Sequence, residues 1–149
     1  MYIESARRLV SEHLKESGRL PLGATSSEID ALEHKLNLRF PQAYREFLGW
    51  MGRDSKGPLQ GSAWFIDCLL ANRETLRVLL EEVGSNYVLK ETDVVFFAHQ
   101  GYMAAWFDAA THAPDPSCWF IDDGLVEPRP AGAFSQVLLD DLKGLTSGM

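Results

Sequence analysis

The spacing of apolar residues changes once along this chain, and that change constrains the fold more than any other sequence feature. Apolar residues first recur at helical spacing. Three short runs rich in Val, Phe, Trp and Ile then follow, namely DVVFFAH, MAAWFDA and SCWFID. Because Gly, Pro and Asp bound these runs, they are typical of consecutive antiparallel strands. Helical spacing returns from Phe134 to Leu145. This order predicts an α+β fold with a mostly antiparallel sheet.

The helical half divides into an N-terminal helix over about residues 2–17 and a helical pair over residues 24–53. Thr25 stands three residues before Glu28, which is the pattern of a capping box. Pro41 suits the first turn of the next helix, where its missing N–H group costs nothing. These signals predict a helical hairpin whose inward-facing residues include Leu32, Phe47 and Leu48.

The connection to the strands is less regular. The stretch RDSKGPLQG, residues 53–61, has loop composition, and SAWFIDCLL after it could be a short strand or an extended segment. Helical spacing over residues 72–83 predicts a further helix, with Asn72 as a plausible cap. The strands carry apolar residues on both sides, so either helices cover both faces of the sheet or part of one face is kept for a partner.

Length and composition indicate one domain spanning residues 1–149. The chain is long enough to bury a core, and it contains no internal repeat and no linker. No apolar run approaches the roughly 20 residues of a membrane helix, and charges interrupt every turn of the N-terminal segment. We therefore expect a cytoplasmic protein without membrane association. Cys68 and Cys118 lack any CxxC or histidine spacing, which favours free thiols over a disulfide or metal site.

The net charge of −7 is confined to the strand-rich half. Residues 1–90 hold 12 acidic and 12 basic side chains, whereas residues 91–149 hold nine acidic side chains against only Arg129 and Lys143. Such an asymmetry repels phosphate backbones and favours cationic partners. It argues against direct nucleic-acid binding.

The helical pair and three later segments form one further pattern. It comprises Ala24-Thr25, Glu28-Ile29, Leu32-Glu33, Leu38, Pro41, Tyr44 and REFL at 45–48, followed by DVVFFAHQGYMAAWFD, DPSCWFIDD and GAFSQVLLDDL. In this pattern residues 24–53 resemble the signature helical pair of the SUKH superfamily, which includes fungal cell-wall-synthesis regulators and bacterial toxin-immunity proteins. The three later segments resemble the central hairpin, the next strand and the closing helix of that superfamily. The resemblance covers about residues 24–145 and is loose over 54–90, and Met51-Gly52 stands where many members have Asn-Gly.

The resemblance implies an α+β fold with helices packed on the sheet. It also implies an immunity protein, that is, a small acidic inhibitor that binds a secreted toxin, frequently a nuclease. It supplies no catalytic motif and no cofactor. A regulatory adaptor that binds an endogenous protein is the first alternative, and a small enzyme with an acidic pocket is the second. The oligomeric state stays open.

The chemistry that an enzyme would need is weakly supported. Asp122 and Asp123 could act as an acid–base pair, with Asp108 expected across the hairpin from them, but the following Gly124 favours a solvated turn. His99 and His112 lack the close spacing of metal ligands. We therefore expect no catalytic residue, no metal and no cofactor.

Partner binding is the better-supported role for the acidic half. A basic toxin would gain electrostatic steering from exposed carboxylates, although surplus acid that only aids solubility remains an alternative. The candidate partner-binding residues are the carboxylates Asp108, Asp115, Asp122, Asp123 and Glu127, with Trp106 and Trp119 as candidate aromatic anchors. Each of these two tryptophans could instead fill the core.

Overall fold

A computed structural model describes residues 1–147, with side chains to residue 144. Over these residues the chain forms five α-helices and one four-stranded antiparallel sheet, which confirms the α+β prediction. Two short 3₁₀ segments lie at Ile66–Cys68 and Ala109–Thr111. The elements in chain order are α1 (Glu4–His13), α2 (Ser26–Leu36), α3 (Gln42–Met51), α4 (Leu69–Val83), β1 (Asp93–His99), β2 (Met103–Asp108), β3 (Ser117–Asp122), β4 (Arg129–Ala133) and α5 (Phe134–Ser147).

The sheet is a meander in which each strand pairs with the next along the chain, in the order β1-β2-β3-β4. A tight turn joins β1 to β2: Gln100 and Gly101 both have positive φ, and the Tyr102 N–H donates to the His99 carbonyl at 3.1 Å. This is the pattern of a type I′ turn, whose twist matches that of the flanking strands. In the next pair, Trp106 lies opposite Trp119.

The predicted helical hairpin is confirmed by its cap and its packing. The Glu28 N–H donates to Thr25 Oγ1 at 3.1 Å, and the Thr25 N–H donates to Glu28 Oε1 at 3.0 Å. Arg45 of α3 then bridges Asp30 and Glu33 of α2. The inward stripe of α3 is completely buried, while Leu32 of α2 is only partly buried at the edge of the core. That stripe comprises Tyr44, Phe47, Leu48 and Met51.

Two apolar clusters lie on opposite faces of the sheet. The larger one joins the α2–α3 hairpin, α1 and α5 to the face that presents Phe96 and Phe107. The smaller one packs α4 against the face that presents Val95 and Trp106. Helices therefore cover both faces over β1 and β2, whereas Trp119 of β3 remains 38% exposed. The first of the two expectations, helices on both faces, therefore holds over β1 and β2, and a partner for the exposed part of β3 stays a prediction.

The start of α4 corrects two predictions. SAWFIDCLL is neither a strand nor an extended segment throughout, because it enters a 3₁₀ turn and then α4, which begins at Leu69. Asn72 therefore lies inside the helix and is not its cap. Its buried amide donates to the carbonyls of Ala63 at 2.8 Å and Val95 at 3.2 Å. Buried carbonyls need donors, and this side chain supplies them at the β1 edge of the sheet.

Two further boundaries differ from the sequence prediction. The first helix ends at His13, and turns then lead to Gly18, whose φ is +67°. Strand β4 was not predicted, because RPAGA contains the proline and glycine that strands usually lack. It forms at the edge of the sheet, where a strand tolerates the missing N–H of Pro130.

Candidate partner-binding surface

The acidic candidates lie at two ends of the sheet. In the β2–β3 register Met103 pairs with Asp122, whereas Asp108 lies at the other end of β2 and pairs with Asp93 of β1. Five residue steps along β2 separate these ends, which is roughly 17 Å at about 3.4 Å per residue. Asp108 therefore does not lie across a hairpin from Asp122, and the candidates do not form one cluster.

Asp108 and Asp115 both accept hydrogen bonds from neighbouring segments of the chain, which gives them a structural role. Asp108 accepts hydrogen bonds from Lys90 Nζ at 2.8 Å and from the Ala110 N–H at 2.9 Å. Partial burial acts against its ionised form, but these donors hold the pKa of Asp108 below its ordinary value. Asp115 accepts from the N–H and hydroxyl of Ser135 at 2.9 and 2.5 Å, which ties it to the first turn of α5.

The other end of the sheet carries Asp122, Asp123 and Glu127. Asp122 accepts a hydrogen bond from the Gly124 N–H at 2.9 Å, while the exposed Asp123 carboxylate has no bond to another described residue. Glu127 accepts from Ser85 Oγ at 3.0 Å and from the Asn86 N–H at 2.9 Å. Within the described chain, none of the three carboxylates pairs with a cation.

The two candidate tryptophans have different environments. Trp106 is fully buried, and its Nε1–H donates to the Tyr87 hydroxyl at 3.1 Å. That hydroxyl donates in turn to Asp93 Oδ2 at 2.7 Å. Burial raises the pKa of Asp93, although hydrogen bonds from Lys90 and Tyr87 oppose the rise. Trp106 therefore belongs to the core, and Trp119 is the candidate tryptophan that reaches the surface.

A groove of about 550 Å³ is lined by one side of α5, by β4 and by part of β2 and β3, and we call it the α5 groove. Its apolar floor includes Met103 of β2 and Phe120 of β3. One wall belongs to α5 and the opposite wall to β4. The polar and charged side chains of the walls are Asp140 and Asp141 on α5 and Arg129 on β4.

Asp141 is the partly buried acid of this groove. Its Oδ2 accepts a hydrogen bond from Trp64 Nε1–H at 3.0 Å. Burial raises the pKa of Asp141, while the Trp64 bond and the electrostatic influence of His99 oppose that rise. Asp140 is exposed and accepts from Gln136 Nε2 at 2.8 Å. Neither carboxylate forms a salt bridge with a side chain that the structure describes.

The opposite wall holds a cation against an aromatic ring. The guanidinium carbon of Arg129 lies 4.9 Å from the centroid of the Phe120 ring, within the range of a cation–π contact. The groove thus has a negative wall, an apolar floor and a positive wall. Such an arrangement can receive a side chain with an apolar stem and a charged end in one orientation.

Asp140 and Asp141 contribute to the net charge but are not among the candidate residues predicted from the sequence. The sequence does contain a signal for Asp141: it follows Val137 by four residues and Leu138 by three, which places it on the inward stripe of α5. An acid on such a stripe is unusual. Asp122 lies on the same side of the sheet as the groove, at the end of β3, because it follows Phe120 of the groove floor by two residues.

Other reactive groups have structural surroundings. Cys68 and Cys118 are free thiols, and burial raises the pKa of the Cys118 thiol. Ser62 Oγ lies 2.9 Å from His99 Nδ1, which links the segment before α4 to the end of β1.

The described residues contain no group of three or more His, Cys, Asp or Glu side chains placed to hold a metal ion. None of the described helices has the length and apolar character needed to cross a bilayer.

Comparison with known families agrees with this architecture. A search of curated proteins finds no match to the chain. The model of the SMI1 / KNR4 family (SUKH-1) matches residues 23–139, which span α2 to α4, the whole sheet and the beginning of α5. The match covers well over half of the sequence and includes both the helical pair and the strands on which the resemblance rested. The chain therefore belongs to the SMI1 / KNR4 family (SUKH-1) of the SUKH superfamily.

Proposed function

We propose that this protein is a cytoplasmic immunity protein that binds a basic toxin protein and neutralises it by stoichiometric binding. The family match carries the proposal, because the SUKH superfamily that the sequence resembles includes bacterial toxin-immunity proteins. The activity requires no catalytic group and no cofactor. It requires a surface whose shape and charge complement the toxin.

The distribution of charge supports a basic partner. The whole net charge of −7 lies in residues 91–149, and Asp122, Asp123, Asp140 and Asp141 have no cationic partner among the described residues. Carboxylates left in this state attract a cationic protein over a distance of about 8–10 Å near physiological ionic strength. Complementary charge of this kind can raise association rates by roughly 10- to 1000-fold at low salt.

A regulatory adaptor that binds an endogenous protein is the second candidate, because the SUKH superfamily that the sequence resembles also includes fungal cell-wall-synthesis regulators. The two functions differ in what the partner does to cells. The protein encoded beside this gene can be expressed alone and together with the chain. Growth arrest that the chain relieves supports immunity, whereas a harmless neighbour that binds the chain supports the adaptor.

The role of the acidic sheet end can be tested with Asp122→Asn/Asp123→Asn. This pair of changes removes two charges, preserves side-chain size and keeps an acceptor for the Gly124 N–H. We expect slower association with the toxin, a weaker dependence on salt and reduced protection of growing cells. Association and dissociation rates of the purified pair, measured at low and physiological salt, provide the check, because rim charges act mainly on the association rate.

A matched control is Glu82→Gln/Glu91→Gln, which removes the same number of charges from exposed positions on and after α4. Neither carboxylate forms a hydrogen bond with another described residue. If both double variants slow association equally, net charge alone is responsible. If Asp122→Asn/Asp123→Asn binds and protects like the parent protein at low salt, the acidic sheet end is not the interface.

A further inference from the structure

We propose that the α5 groove receives an arginine or lysine side chain, flanked by apolar residues, from the protein partner. The inference rests on the proposed function for the identity of that partner. It goes further by naming a site, a side-chain chemistry and an orientation. Its main support is Asp141, a carboxylate partly withdrawn from water that forms no salt bridge with a described side chain, although His99 acts on it electrostatically.

The α5 wall fits a cationic group. Among the described residues, Asp141 has one hydrogen-bond donor, Trp64 Nε1–H, although an ionised carboxylate can accept about four hydrogen bonds. Asp140, one residue earlier, also retains acceptor capacity beyond its bond to Gln136. A guanidinium or ammonium group placed here would form charge-assisted bonds in a partly desolvated site, where such bonds are stronger than at an open surface. The raised pKa of Asp141 is consistent with a carboxylate that lacks this cation.

The floor and the opposite wall fix the orientation. Met103, Phe120 and Val137 present apolar surface along which the methylene stem of an arginine or lysine can lie. Arg129 is held over the Phe120 ring on the β4 wall. It would repel a cation from that side and direct it towards α5. The guanidinium of Arg129 can also donate hydrogen bonds to a carboxylate or carbonyl of the partner segment.

The groove is continuous with the acidic sheet end. Met103 of the floor pairs with Asp122 in the β2–β3 register, and Asp122 lies on the groove side of the sheet. A basic segment drawn by Asp122 and Asp123 would therefore reach the mouth of the groove. The charge complementarity of this surface selects a partner protein with a basic segment as the occupant.

The groove can be tested without the toxin by using a synthetic peptide, acetyl-Leu-Arg-Leu-amide. Its control, acetyl-Leu-citrulline-Leu-amide, has the same shape but no charge. The full chain, labelled with ¹⁵N, is titrated with each peptide and followed by NMR. We expect saturable shifts of the Trp64 indole N–H signal and of the backbone amides of Arg129, Ala131 and residues 137–141. The citrulline peptide should bind at least about tenfold more weakly, because it cannot form the charge-assisted bonds.

Asp140→Asn/Asp141→Asn should weaken the arginine peptide by a similar factor, whereas Glu82→Gln/Glu91→Gln should leave its binding unchanged. A thermal melt of each variant confirms that it is folded. The proposal is wrong if both peptides bind equally, if the shifts cluster around Trp119 or α4, or if millimolar peptide gives no shift. Shifts of the groove signals on dilution of the protein alone would overturn it too, since a second copy would then be the occupant.

The experiments can refute the α5 groove as a binding site and the proposed immunity function independently of each other. A chain that protects cells from the neighbouring toxin but does not bind the arginine peptide keeps its function and loses this site. Conversely, peptide binding that depends on Asp140 and Asp141, in a chain that relieves no toxicity, retains the site and points to the adaptor role.

Discussion

Phe134→Ala tests how strongly the start of α5 is anchored between α3 and the sheet. Phe134 is the first residue of α5, and its side chain is fully buried. Its ring lies among aromatic side chains from α3, the segment before α4, and the sheet. The centroid distances are 5.0 Å to Phe96, 5.5 Å to Tyr44, 6.0 Å to Phe47, 6.1 Å to Phe107 and 6.4 Å to Trp64.

The expected loss follows from this environment. Replacing a buried phenylalanine by alanine usually lowers the free energy of unfolding by about 3–5 kcal/mol, through lost burial and the cavity that remains. Edge-to-face ring pairs contribute about 0.5–1.5 kcal/mol each beyond burial, but contributions within one cluster do not add. We therefore expect about 4–5 kcal/mol. With roughly 2–4 °C per kcal/mol for a chain of this size, the melting temperature should fall by about 8–20 °C.

Trp119→Ala is the matched control, because it also removes an aromatic side chain but from a position that is 38% exposed. Its cost should be smaller, about 1–2 kcal/mol, because part of the ring is already in contact with water in the folded state. Urea unfolding followed by circular dichroism gives both free energies on one scale. If Phe134→Ala and Trp119→Ala destabilise equally, the aromatic cluster does not have the central role that its geometry indicates.

Two further predictions concern the thiols and the groove acid. Cys68→Ser/Cys118→Ser should keep partner binding and lose about 1–3 kcal/mol of stability, because a hydroxyl replaces the buried Cys118 thiol; loss of binding by the folded variant would contradict this. Asp141→Asn should be at least as stable as the parent at pH 7. The folded-state pKa of Asp141 is raised above its ordinary value of 3.8, so the parent loses stability as pH rises from that value through the folded pKa. Thermal melts at pH 4 and pH 7 should show the variant's advantage growing with pH, and a variant less stable than the parent at pH 7 would refute the assignment.

Local periodicity accounts for the elements that the sequence predicted well. Tyr44, Phe47, Leu48 and Met51 follow helical spacing, and all four are buried in α3. The strands from β1 to β3 are rich in β-branched and aromatic residues, and turn residues separate them. These signals operate over a few residues, so they survive in a single sequence. The capping box at Thr25 is equally local and was equally predictable.

The remaining features depend on tertiary contacts. β4 forms because β3 offers an edge, and its own residues give no strand signal. Asn72 resembled a helix cap because asparagine favours that position, yet its amide instead bonds to carbonyls of distant segments. The α5 groove arises where α5, β4 and the β2–β3 floor meet, and no sequence spacing brings those three elements together. Asp141 alone gave a hint, as an acid on an apolar stripe.

One substitution at Asp141 distinguishes a functional role from a structural role, because the two roles predict opposite effects on stability. If the carboxylate stabilises the fold, replacing it by an amide lowers the stability of the protein. If the carboxylate is desolvated and has no salt bridge, the same replacement leaves the stability of the protein unchanged or raises it. Asparagine also retains an oxygen for the Trp64 N–H, so the change isolates the charge. Perturbed acids of this kind occur often at functional sites, where binding requires a group that folding alone would not favour. Asp141→Asn should therefore weaken binding of the arginine peptide while the melting temperature stays level or rises. A parallel loss of stability and binding would instead make Asp141 a structural residue, and the α5 groove would have no separate function.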